Sequence, residues 1–100
     1  MYPFTSAKRR RLLLIVLGRE NGKCFYCDVP VSMSARQFLN SDAKRARELN
    51  AATLDHLIPA SRRGEDTPEN TVCACFGCNM DRGDRPAIDF LYEKQASIAA

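Results

Sequence analysis

Nowhere in the 100-residue chain do more than six apolar residues run together, the longest stretch being Leu12 to Leu17. That is far short of the roughly 20 needed to span a bilayer. Arg19-Glu20-Asn21 follows without the small-residue pattern of a cleaved export signal. We therefore expect no membrane partner and a cytosolic location. Internal repeats and low-complexity tracts are absent, and the length leaves no room for a second domain. A single domain this short buries roughly 60% of its unfolded surface, so its core is marginal and a staple would help. Histidine occurs once, at His56.

Strong net charge is also lacking, at +3 overall, but the charge is uneven. Residues 1–23 carry +5 and residues 55–100 carry −3. The first segment includes Lys8-Arg9-Arg10-Arg11, a cluster that suits a polyanion such as nucleic acid. Taken on its own, the cluster reads first as a solvated first turn of a helix.

What is present in pairs is cysteine. Cys24-x2-Cys27 and Cys75-x2-Cys78 are matched, and cytosolic thiols stay reduced, so paired cysteines there point to metal. Two-residue spacing aims both sulfurs of a turn at one ion, and two such turns complete a tetrahedral thiolate site. Soft thiolates select zinc over magnesium or calcium, and four protein ligands leave no open position, so the zinc is structural. It supplies the missing staple by tying the N-terminal helix to the C-terminal half. The fifth cysteine, Cys73, reads as a small buried apolar side chain.

Along the chain, residues 6–21 read as a helix with Ser6 as N-cap and Asn21-Gly22 as its stop. Apolar residues on every face of it call for tertiary contacts or a partner. A knuckle over residues 22–28 is closed by Pro30. Residues 34–49 suggest a helix or two short ones broken near Asn40-Ser41. Residues 51–55 read as a strand, 59–70 as a polar loop, 71–74 as a second strand, with helices starting near Gly77 and after Pro86. The fold class expected is α+β.

His56 follows Asp55 inside the apolar pentad Leu54-Asp55-His56-Leu57-Ile58. A lone histidine in a strand is usually a packed core residue, and neighbouring strand residues point to opposite faces. Only a bend near Pro59 or a place at the strand end would let the two cooperate. Asn70 closes the loop, and Asn79 directly follows Cys78.

This arrangement resembles the HNH endonuclease family, on Asp55-His56, Pro59, Gly64, Asn70 and Cys75-x2-Cys78-Asn79, with Arg82-Gly83-Asp84 where many members have Lys-Gly-Asp. The resemblance implies a ββα-metal core over residues 24–86, stapled by the zinc knuckles and flanked by a basic helix over 1–22 and a C-terminal helix over 86–98. It implies a metal-dependent DNA endonuclease. His56 would be the general base, Asp55 and Asn79 would hold a catalytic divalent ion, and Asn70 would brace the loop and orient His56 by a hydrogen bond. Asn79 stands where the family name implies histidine; its amide oxygen with Asp55 makes a hard donor pair that favours Mg²⁺ or Mn²⁺. Arg62, Arg63, Arg82 and Arg85 are candidate DNA-phosphate clamps beside Lys8, Arg9, Arg10 and Arg11, whereas Glu65, Asp66 and Glu69 read as plain surface groups. Small proteins of this kind occur in phages and bacteria, where some act with a packaging terminase, so a terminase or another targeting protein is a partner to consider. The competing readings are a non-catalytic zinc-stapled DNA-binding module and a protein adaptor docking through Leu12 to Leu17.

Overall fold

The computed structural model describes residues 3–32 and 49–99. The architecture is a small α+β fold in which a two-stranded antiparallel hairpin is covered on both faces. In order come α1 (Pro3–Arg19), β1 (Ala52–His56), β2 (Thr71–Cys75), α2 (Phe76–Arg82) and α3 (Ala87–Ala99). The helical expectation for residues 34–49 falls outside the described residues, apart from Leu49, which sits in a turn.

Helix α1 starts at Pro3, three residues before the expected cap at Ser6. Proline's fixed φ suits the first turn, where its missing N–H has no intrahelical partner to lose. The basic cluster therefore lies inside the helix and not in its first turn. The stop is where the sequence places it: Asn21 and Gly22 take φ of +57° and +71°, and the Gly22 N–H returns to the Leu17 carbonyl at 2.9 Å. Only one side of the apolar run is covered. Leu12, Leu13 and Val16 are buried, whereas Leu14 and Ile15 remain nearly half exposed.

Register in the hairpin pairs Leu54 with Cys73, Asp55 with Val72 and His56 with Thr71. All five residues of β2 are buried, because successive side chains enter two different cores. Cys73 faces α1 with Leu13, Val16 and Ala52. Val72 and Ala74 face the opposite core, built from Cys24, Tyr26, Cys75, Cys78 and Phe90. Helix α2 follows β2 without a loop, its first turn capped by Cys75 Sγ, which accepts from the Cys78 N–H at 3.3 Å. Among the described residues, no helix is long and apolar enough to cross a membrane.

Candidate active site and metal centre

The knuckle before β1 is a tight hairpin of its own. Lys23 bridges to Pro30, and the Cys24 N–H donates to the Val29 carbonyl at 2.8 Å. This turn and the β2–α2 junction bring Cys24, Cys27, Cys75 and Cys78 together, with all four sulfurs within 4.8 Å of one another. Sulfurs about 2.3 Å from a tetrahedral zinc stand about 3.8 Å apart. Cys27 Sγ and Cys75 Sγ are separated by 3.8 Å. The donor set and its spacing therefore fit zinc. Burial pushes Cys75 up to about 11, and Cys78 is raised further by burial and by Cys24. Burial also works to raise Cys24, but backbone N–H donors outweigh it and lower that thiol. Four thiolates this close need a dication as counter-charge. Cys73 lies outside the cluster, fully buried, its thiol pushed up to about 12 by burial and by Glu20. It behaves as the small apolar residue expected.

Asp55 and His56 point to opposite faces, as strand geometry demands. Asp55 faces the knuckle and α2, where it is buried and its Oδ2 accepts from both the Tyr26 hydroxyl and Arg82 Nη1, the latter at 2.7 Å. Burial, reinforced by Asp55, raises the Tyr26 phenol far above its ordinary value, so it stays a hydrogen-bond donor. Tyr26 sits between Cys24 and Cys27, which links the zinc turn directly to the carboxylate. Both bonds go to Oδ2. Asn79, on α2, donates its amide NH₂ to Thr53 Oγ1 at 3.0 Å, leaving the amide oxygen as its ligand atom. The two groups present hard oxygens to one cleft, so they fit Mg²⁺ or Mn²⁺.

His56 is the last residue of β1, which is what reconciles it with Asp55. A cleft of about 990 Å³ is lined by Asp55, His56 and Asn79 together with Arg9, Arg62 and Arg82. The loop after β1 is held shut by Asn70. Its Oδ1 accepts from the Ile58 N–H at 2.9 Å, and its Nδ2 donates to the carbonyls of Ile58 and Glu65 at 3.0 and 2.9 Å. Gly64 is required there: a Cβ would lie 1.6 Å from the Ile58 carbonyl oxygen. The far end of the loop is tied to α1, since Arg19 donates to the Pro68 and Thr71 carbonyls at 2.8 and 2.7 Å.

Four expectations change on this geometry. Asn70 braces the loop, but the hydrogen-bond partner of the His56 ring is Asp66, whose Oδ1 lies 2.5 Å from Nε2. Asp66 is thus not a plain surface group; His56 above all, with Arg9 and Lys8, holds its carboxyl below the ordinary value. Arg82 is no free phosphate clamp. It is 6% exposed, and besides Asp55 it donates to the carbonyls of His56 and Arg85 at 3.0 and 2.8 Å. Arg85 likewise turns inward along the surface, to Glu93 at 2.5 Å and the Asp81 carbonyl at 2.5 Å, with its guanidinium over the Phe90 ring. Of the basic residues singled out, Arg9 and Arg62 are exposed and line the cleft, while Lys8 and Arg11 are exposed on α1 and Arg10 is half-buried. Arg63 is exposed and turns the loop with φ +66°. An aromatic beside a zinc ligand reads as packing, and Tyr26 is indeed fully buried in the core around the knuckle. Its polar tip had no visible partner until the knuckle met β1.

Residues 24–85 match the model of a protein family described as HNH endonuclease, which spans the knuckle, hairpin, loop and α2. No curated protein matches the chain.

Proposed function

The chain belongs to the HNH endonuclease family, and on that premise we propose that it hydrolyses DNA phosphodiester bonds with the help of a divalent cation. One observation carries the reading. Strand β1 and helix α2 deliver Asp55, His56 and Asn79 to a single cleft that also receives Arg9 from α1 and Arg62 from the loop after β1. A purely structural zinc module has no need of that convergence.

His56 acts as general base. It takes a proton from a water molecule, whose oxygen attacks the phosphorus while the bond to the 3′-oxygen breaks. The leaving oxygen takes a proton from solvent, giving 3′-hydroxyl and 5′-phosphate ends. Asp55 and Asn79 would hold the Mg²⁺ or Mn²⁺; when bound, the ion supplies neutralising charge to the scissile phosphate and the leaving oxygen. Arg82 and Tyr26 keep the Asp55 carboxylate in place from behind. Arg9 and Arg62 contact the phosphate backbone, which positions the duplex without reading its sequence. Asn70 keeps the loop closed over Ile58 so that His56 stays at the cleft edge.

Incubating supercoiled plasmid with the zinc-loaded protein tests this directly. Cleavage should require Mg²⁺ or Mn²⁺ and stop in EDTA. His56→Ala should retain zinc content and its melting transition while losing about 10²- to 10⁴-fold in rate. A folded His56→Ala protein that cuts at the wild-type rate overturns the mechanism.

A further inference from the structure

We propose that Asp66 is the positioning residue of His56: its carboxylate fixes the imidazole in the tautomer protonated at Nε2, so that Nδ1 is the nitrogen that accepts the proton from water. The inference rests on reading His56 as the base. It starts from the shortest polar contact of the ring, His56 Nε2 to Asp66 Oδ1 at 2.5 Å. An ionised carboxylate has no proton to give, so in this pair the nitrogen is the donor. Neutral imidazole carries one proton, and placing it on Nε2 leaves the lone pair on Nδ1. His56 lines the cleft and Asp66 is not among its lining residues, so the anchor holds the ring without itself meeting a bound substrate.

The anchor is itself held. The loop carrying Asp66 is fastened on either side of it, by Asn70 to the Glu65 carbonyl at 2.9 Å and by Thr71 Oγ1 to the Thr67 carbonyl at 2.7 Å. Lys8 and Arg9 of α1 add positive charge near the carboxylate, and with His56 they favour its ionised form. When Nδ1 takes the proton, the ring becomes an imidazolium whose Nε2–H still donates to Asp66. The proton on Nε2 never moves; the carboxylate stabilises the charge that develops. This is the role a carboxylate plays behind a catalytic histidine on unrelated folds.

His56 is the only histidine, so its ring ¹⁵N signals need no assignment. In zinc-loaded wild-type protein above the ring's titration, ¹⁵N-edited NMR should show the Nε2-protonated tautomer. Asp66→Ala should give a mixture of tautomers, and kcat for plasmid cleavage should fall at least about 10- to 100-fold, the range for losing a group that orients a metal-bound histidine. KM for DNA should stay unchanged, because Asp66 touches the base and not the substrate. Melting should change little, Asp66 being a partly exposed loop residue. A wild-type ring protonated at Nδ1 overturns the proposal, as does an Asp66→Ala protein with unaltered tautomer and kcat. The NMR arm needs no substrate. A wild-type protein that fails to cut DNA yet shows the Nε2 tautomer sinks the nuclease reading and upholds the hold of Asp66 on the ring.

Discussion

Replacing Arg82 with methionine should unfold much of what the hairpin and α2 build together. The Asp55 side chain is 10% exposed and that of Arg82 6%, so the ion pair is out of water. Removing one partner of such a pair costs about 3–5 kcal/mol, since the other charge stays buried without compensation. Tyr26 would still donate to Asp55, which keeps the loss toward the lower end. Against that, the carbonyls of His56 and Arg85 lose a donor, and each that fails to reach water adds about 1–3 kcal/mol. A net loss of about 4 kcal/mol is a large part of the roughly 5–15 kcal/mol of a native domain. With about 4–8 °C per kcal/mol for a domain of this size, the melting temperature should drop by about 16–32 °C. Thermal unfolding of zinc-loaded Arg82→Met, Asp55→Leu and the double variant measures it. The double variant should lose less than the two single losses together, because removing both charges leaves none stranded. Strictly additive losses, or an Arg82→Met protein within about 0.5 kcal/mol of wild type, a margin typical of surface substitutions, would refute the buried-pair reasoning.

Cys75→Ala leaves the zinc three ligands and releases the cap of α2, so zinc content, melting temperature and cleavage should fall together; metal analysis that still finds tightly held zinc would refute the four-sulfur site. Neutralising Lys8, Arg9, Arg10 and Arg11 together should weaken binding to all DNA sequences and flatten its dependence on salt, since each phosphate contact releases counterions. An unchanged slope would assign the cluster to solvent alone. His56 lowers the Asp66 carboxyl. Its contribution to stability is therefore fully present above the unfolded carboxyl value, about 3.9, and fades as pH falls through the lower folded value. His56→Ala should move the Asp66 titration, followed by carboxyl ¹³C shifts, upward toward the ordinary range. A titration that stays put would assign the lowering to Lys8 and Arg9.

Much of this protein is written in short-range chemistry. Cys24-x2-Cys27 and Cys75-x2-Cys78 announce a four-sulfur centre because each pair is already a turn and two such turns complete a set of four soft ligands. Asn21-Gly22 ends α1 because those residues tolerate positive φ, and Gly64 in the loop tolerates a carbonyl where a Cβ would stand. A strand over residues 71–74 and a helix starting near Gly77 were legible locally, each within one residue of the observed junction of β2 and α2. The start of α1 was less so, since Ser6 and Pro3 are both acceptable beginnings and three residues shift little in local preference.

Charged residues are a different matter. Arg62, Arg82 and Arg85 look alike in the sequence, each beside turn-forming residues and acidic neighbours. Only the packing of α2 against β1 puts Arg82 on buried Asp55, only α3 gives Arg85 its glutamate at residue 93, and Arg62 is left with the cleft. In the same way Asp66 reads as solvated polarity until the loop folds back ten residues onto His56, and Arg9 reads as a helix surface until α1 docks beside the cleft. A long flexible charged side chain takes its partner from whichever element arrives within a few ångströms, and that distance is set by long-range packing. Ligand spacing and backbone conformation are local, so they survive in the sequence; the pairing of charges is not, and belongs to the tertiary structure.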